Sequence, residues 1–292
     1  MLVAPVNGIE IAYDVHGRPG DTPLVLVTGI SVQMIWWWDA FVERLAGRGF
    51  FVVRHDNRDA GESTQLDQHD AMEALTSALA GGEVPYRLSD LAADTVGLLD
   101  HLGIDKAHFV GHSMGGMIVQ TIAIEHPERV LSLTSIGSNT GAPGEFEAGV
   151  GVIGRLVYDK PVVDQSTAGD AYVHSWITLA GPEYPCDVNA TRAVGERAYD
   201  RGPGGLGVVR QIAAITASGD RTDQLAKLDV PTLVIHGDAD ILIDVSGGYA
   251  TAKAVPGAEL VIVDGLGHDI PEVLWDSFID LIIRNTERER TT

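Results

Sequence analysis

The stretch Ala107-His108-Phe109-Val110-Gly111-His112-Ser113-Met114-Gly115-Gly116-Met117 decides the fold. Its first residues form a short apolar run without alternation, which reads as a strand covered on both faces, and the pattern over 116–125 is helical. Between the two, residues 111–115 spell G-x-S-x-G. The bare string is weak in a chain with 34 glycines; its place between strand and helix carries the weight. A strand that turns straight into a helix forces the central serine into a strained backbone, and only small neighbours avoid collision there. Gly111, Gly115 and Gly116 supply them. The turn lifts the Ser113 hydroxyl above the sheet at a helix N-terminus, where free N–H groups favour developing negative charge. A Gly-rich structural turn is the competing reading, and the flanking strand and helix weigh against it.

The same rhythm extends outward in both directions. Residues 24–27, 51–53 and 130–136 read as buried parallel strands, and Asn7-Gly8 marks a tight hairpin between two antiparallel strands at the start of the chain. Helical faces lie between them, one with Phe41, Leu45 and Ala46, another with Leu88, Leu91, Ala92, Leu99 and Leu102. Strand–helix alternation of this kind means an α/β fold with a mostly parallel sheet. It breaks at Asn139 and resumes at Pro231, with strands over 232–235 and 260–263 and helices over 246–254 and 275–283. Residues 1–140 and 226–292 are therefore expected to form one core domain. Residues 141–225 are expected to form an inserted helical cap, with helices over 190–199 and 207–217. The charged residues 287–290 read as a solvated tail.

Composition narrows the function. The 292 residues are 45% hydrophobic and carry a net charge of −21 without a basic run, so a nucleic-acid partner is disfavoured. The single cysteine, Cys186, cannot form an internal disulfide. No basic segment precedes an apolar stretch at the N-terminus, and no apolar run reaches the ~18 residues of a membrane span. The expectation is a cytoplasmic protein without a membrane partner. Residues 149–154 and 202–207 both satisfy G-x-G-x-x-G, yet neither follows a strand that opens a βαβ unit. Asn189-Ala190-Thr191 fits a glycosylation acceptor, which means little without a secretion signal. No zinc or phosphate-binding motif is present, so neither metal nor cofactor is expected.

A serine hydroxyl needs a base to take its proton. His268 follows the 260–263 strand in a Gly265-Leu266-Gly267 loop, at the carboxyl edge where open parallel sheets place reactive groups. His112 adjoins the serine and is expected to pack or line the site. The base needs a carboxylate to fix its tautomer, and the 232–235 strand is followed by Asp238 and Asp240. Asp240 is preferred because the longer reach lets it curl back to His268; Asp238 is the alternative and suits loop hydrogen bonding. Oxyanion donors are expected from the backbone N–H groups of Met114 and of Ile30, in the loop after the 24–27 strand. Trp36, Trp37, Tyr172 and Trp176 are candidate pocket walls, and the run Trp36-Trp37-Trp38 is expected both to wall a pocket and to cover the core, with at least one of the three in the core.

With these residues in place the chain resembles the α/β-hydrolase-fold serine hydrolases over nearly its whole length. The resemblance is carried by residues 111–116 (G-H-S-M-G-G), by His55-Asp56-Asn57-Arg58-Asp59-Ala60-Gly61-Glu62-Ser63, by 231–240 and by 265–268. Asp59, where many relatives carry glycine, makes that loop similar to the subgroup containing aclacinomycin methylesterase. The resemblance implies an α/β-hydrolase fold with a doubly wound sheet, Ser113 as nucleophile, Asp240 as acid, His268 as base, and Ile30 with Met114 as the oxyanion hole. Thr28-Gly29 departs from the His-Gly of many relatives. A serine at the elbow argues against dehalogenases and epoxide hydrolases, which carry a carboxylate there. The expected partner is a small-molecule ester, bulky and hydrophobic: a methyl ester of a polycyclic natural product or a macrocyclic lactone. Alternatives are cofactor-free perhydrolase (haloperoxidase-like) activity and a ligand-binding receptor with a marginally active triad. A homodimer is compatible with any of these.

Overall fold

Asn7 and Gly8 both adopt positive φ, 49° and 77°, and close the expected two-residue hairpin between β1 (Leu2–Val6) and β2 (Ile9–His16). The computed structural model describes residues 1–144, 151–152, 162–202 and 205–289. Of the two glycine-rich matches, 149–154 lies outside these apart from Gly151 and Val152, and Pro203 and Gly204 of the second also fall outside them.

The sheet continues through β3 (Thr22–Val27), β4 (Phe50–His55), β5 (Ala107–His112), β6 (Val130–Ile136), β7 (Thr232–Gly237) and β8 (Glu259–Val263). Its order is β1-β2-β4-β3-β5-β6-β7-β8, antiparallel at β1–β2 and β2–β4 and parallel from β4 to β8. β5 and β7 are buried at every position, as their unbroken apolar runs predict. Successive connections run outward from β3 to β4 and then back across to β5, so the order reverses between β3 and β5. A crevice opens at such a reversal, beyond the carboxyl ends of the strands.

Helices cover the sheet in two groups. α1 (Asp39–Gly47) packs with the last helix, Trp275–Thr286, while α3 (Leu88–Leu102) packs on α4 (Met114–Glu125). α4 is buried from Met114 to Ala123, which makes it the central helix of the core. α2 (Ala71–Leu79) is an element the periodicity does not reveal; Asp70 caps it by accepting the Glu73 N–H at 2.8 Å.

Between β6 and β7 come α5 (Gln165–Leu179), α6 (Val188–Asp200), α7 (Gly207–Ser218) and the short α8 (Thr222–Leu225), with no strand among the described residues. α6 and α7 match the expected helices, whereas α5 is unforeseen. α5 and α6 pack closely because Gly195 faces Tyr172: a Cβ at Gly195 would meet that ring's Cβ at 2.4 Å. After β7 follow α9 (Ser246–Ala254) and α10 (Trp275–Thr286). The tail needs one correction. Arg288 is half-buried and donates to the carbonyls of Thr232 at 2.9 Å and Gly257 at 2.6 Å, so it ties the chain end to the starts of β7 and β8 and is not simply solvated; Arg290 lies outside the described residues.

Two buried histidines make the fold acid-sensitive. His55 ends β4 and His108 lies in β5, where its Nδ1 is 2.8 Å from Ser132 Oγ. Burial pushes both from 6.5 down to about 4. The folded protein keeps them neutral at pH 5 while the unfolded chain protonates them, so stability present above pH 6.5 is lost as pH falls toward 4. Each should cost about 2 kcal/mol between pH 7 and pH 5. Urea unfolding of the His108→Gln variant is expected to show a pH 7-to-5 loss smaller than that of the parent by about this amount; an equal loss would show that His108 is not held neutral.

Candidate active site

Ser113 sits where β5 becomes α4, at φ 59° and ψ −123°, a backbone that costs a non-glycine residue about 1–3 kcal/mol. Its surroundings hold it there. The Ser113 N–H donates to Ile136 O at 2.9 Å, and its carbonyl accepts from Ser138 Oγ at 2.8 Å and from the Gly116 N–H at 2.9 Å. The glycines are required by space: a Cβ on Gly111 would lie 2.1 Å from Gly115 O, and one on Gly115 would lie 2.2 Å from Val27 O. The end of β3 therefore presses against the start of α4. This brings the 28–30 loop to the serine, since a Cβ on Gly29 would lie 3.0 Å from Ser113 Cβ.

That loop is pinned by residues the sequence does not single out. Asn57 Nδ2 donates to Thr28 O at 3.2 Å, and Ser31, at φ 61°, donates its N–H to Gln211 Oε1 on α7 at 2.7 Å. Gln211 Nε2 in turn donates to Arg58 O at 2.8 Å. Thr28, in place of the His of many relatives, thus belongs to a hydrogen-bonded loop that keeps Ile30 beside the elbow.

From the far side of the sheet, the loops after β7 and β8 bring Asp240 and His268 together. His268 Nδ1 is 2.6 Å from Asp240 Oδ2, and both side chains are buried. Asp240 Oδ1 accepts the N–H groups of Leu242 at 2.8 Å and Ile243 at 2.9 Å. Burial works against its charge, but the His268 charge, hydrogen bonds from His236 and His268 and the Ile243 N–H prevail. They hold the carboxyl well below the usual range. The His268 N–H donates to Leu179 O at 2.8 Å, and Gly267 lets the loop lie against α5, where a Cβ would meet that carbonyl at 2.1 Å. With Nδ1 engaged by a carboxylate, Nε2 is the ring's free atom; it is buried and has no hydrogen-bond partner. It does not bond Ser113 Oγ in this state, yet both residues line one cavity. Asp238 does something else: it accepts the Gly265 N–H at 2.7 Å and shapes the loop, as its position suggests.

The comparisons with known proteins fit this arrangement. The family model described as the alpha/beta hydrolase fold matches residues 15–159. The enol-lactonase from Burkholderia xenovorans LB400 superposes with a TM-score of 0.76 over 98% of this chain and 100% of its own, at 23% identity, which speaks to fold alone. This chain has the α/β-hydrolase fold. Its sequence relatives along nearly the full length bear hydrolase names. A rhodomycin D methylesterase from Streptomyces sp. (strain C5) is 29% identical over 92% of each chain, and one from Streptomyces peucetius is 28% identical over the same share. A putative carbamate hydrolase from Rhizobium rhizogenes is 25% identical over 93% of this chain and 96% of its own.

The cavity beside Ser113 and His268 measures about 580 Å³, within the range that holds a drug-sized ligand. Ser113, His268, His112 and Ile30 lie along it, and α5 supplies Tyr172 and Trp176, both expected there. Leu179, Val208 and Leu242 add apolar wall that sequence reasoning does not assign. Two tryptophans need correction. Trp37 is core: it is 2% exposed and stacks on Phe41 with centroids 5.6 Å apart. Trp36 does not reach the cavity, because it stacks behind His112 at 4.4 Å, and His112 in turn lies 4.6 Å from the His268 ring. The two rings meet edge-on with centroids 5.1 Å apart just after the 3₁₀ turn over Met34–Trp36, Trp36 packing on His112 and Trp37 on Phe41. Burial, then the adjacent His268 charge, keeps His112 well below ordinary histidine and hence neutral.

Asp59 explains the loop that sets this chain apart. Its φ is 65°, a conformation that suits glycine and that Asp tolerates better than most residues. Its buried carboxylate accepts two bonds from Arg210 of α7 at 2.7 and 2.8 Å and one from Tyr86 Oη at 2.7 Å. The same fork that satisfies the charge fastens α7, and with it Gln211, to the core.

Proposed function

We propose that this chain is a serine carboxylic-ester hydrolase acting through an acyl-enzyme, with residues 1–140 and 226–292 as core and 141–225 as a cap over the substrate. One observation carries the reading: the Asp240–His268 pair leaves a buried Nε2 without a hydrogen-bond partner, on a histidine that lines the same cavity as a serine on a strained strand–helix turn. Ser113 Oγ attacks the ester carbonyl as His268 Nε2 takes its proton. The oxyanion is met by the N–H groups of Ile30 and Met114, each worth about 3 kcal/mol in comparable sites. His268 then protonates the departing alcohol, and water, deprotonated by the same nitrogen, hydrolyses the acyl-enzyme.

The size and apolar lining of the cavity, and the methylesterase relatives, favour a bulky hydrophobic ester, in particular a methyl ester of a polycyclic acid. Methanol release from such an ester, compared with methyl acetate, tests this. The expected result is repeated turnover with kcat/KM at least about tenfold higher for the bulky ester. Release of a single equivalent would overturn the enzyme reading, and a preference for the acetate would overturn the substrate class.

A further inference from the structure

Behind Tyr172 and Trp176, which line both spaces, lies a second cavity of about 160 Å³ that ester hydrolysis does not use. Its walls are strongly aromatic. Trp36 and Trp176 line it as a stacked pair 5.4 Å apart, and Trp38 and Trp275 as a tilted pair 5.9 Å apart, with Tyr172 of α5 as a further ring. The charged side chains that line it are all carboxylates: Asp187, Asp269 and Glu272.

These carboxylates differ in what already occupies them. Asp187 caps α6, accepting the N–H groups of Asn189 and Ala190 at 2.9 and 3.0 Å. Glu272 is 3.7 Å from Arg44, which also pairs with Asp276 at 2.9 Å and lies 5.4 Å over the Trp275 ring. Asp269 is half-buried, and its one hydrogen bond accepts the Ile270 N–H at 2.7 Å; among the described residues no basic side chain forms an ion pair with it. Burial pushes its carboxyl up to about 6, against the opposing pull of that N–H and of the His268 charge. Asp269 thus lacks an ion-pair partner among the described residues, and the cavity is walled by aromatic rings, whose faces attract cations.

We propose that this cavity is a recognition subsite for an organic ammonium ion, seated against its aromatic walls with the Asp269 carboxylate as its counter-ion. An anion is repelled by all three carboxylates. A hard metal cation would find too few oxygens and too much aromatic carbon. A neutral apolar group would leave the buried carboxylate uncompensated. An alkylammonium satisfies both the rings and the charge, and the net charge of −21 favours its approach. The subsite extends what the protein recognises beyond the ester bond, and it stands or falls apart from the hydrolytic mechanism.

Choline and its uncharged isostere 3,3-dimethylbutan-1-ol provide the test, titrated into the full-length protein and followed by tryptophan fluorescence and calorimetry. Choline should bind at least about tenfold more tightly than the isostere. Asp269→Asn, with its fold checked by circular dichroism, should weaken choline at least about fivefold while changing isostere binding less than about twofold. Equal affinity for the two probes, no saturable binding of choline, or unchanged choline affinity in Asp269→Asn would each overturn the proposal. None of these readouts depends on ester turnover, so failure of the hydrolase reading and failure of the subsite are told apart.

Discussion

Ser113→Ala is expected to lower kcat on any hydrolysed ester by at least about 10⁴-fold, because no other group can form the acyl bond and the oxyanion donors alone leave only a residual rate. The fold should survive. The strain at Ser113 belongs to its backbone and to the hydrogen bonds made by its N–H and carbonyl, and alanine keeps all of these. The glycine contacts are likewise untouched. Urea unfolding should therefore change by less than about 1 kcal/mol, which separates lost chemistry from lost structure. Turnover within tenfold of the parent would remove the serine mechanism.

Asp240→Asn should be nearly as damaging, and the reason lies in the direction of its amide. Oδ1 accepts two backbone N–H groups, from Leu242 and Ile243, so an asparagine would keep its oxygen there and turn its NH₂ toward His268 Nδ1. An NH₂ facing Nδ1 makes that nitrogen the acceptor and moves the ring proton to Nε2. The imidazole then cannot receive the proton of Ser113. A loss of about 10⁴-fold in kcat is expected near neutral pH. Asp238→Asn is the control: its oxygen can go on accepting the Gly265 N–H, and kcat should stay within about threefold. Comparable losses in the two variants would mean that Asp240 does not set the tautomer.

Much of this is legible in the sequence because parallel strands buried on both faces leave unbroken apolar runs, and because a strand–helix turn around a serine tolerates few residues. Ser113 and Asp240 each follow such a strand, and His268 follows the half-buried apolar edge strand β8, so finding the strands finds the carboxyl edge of the sheet. α5 escapes the same reading. Its buried positions, Ala168, Gly169, Val173, Trp176 and Leu179, recur at helical spacing, but two of them are small and the apolar Ile177 is exposed, so the stripe is faint in the sequence. The helix packs through close approach to α6. Trp36 and Trp37 illustrate the opposite limit: their residue types announce burial, but only the packing shows that one ring lies on His112 and the other on Phe41. Gln211 leaves a faint trace, as a polar residue within the buried face of α7, without indicating that it holds the 28–30 loop.

The most direct measurement is peptide mass spectrometry after reaction with a fluorophosphonate, which captures an activated hydroxyl as a stable phosphonate ester. Labelling of the peptide bearing Ser113, slowed by a competing bulky methyl ester and abolished in His268→Gln, is the predicted result. Label on a different residue, or labelling of Ser113 that proceeds undiminished without the histidine, would contradict it.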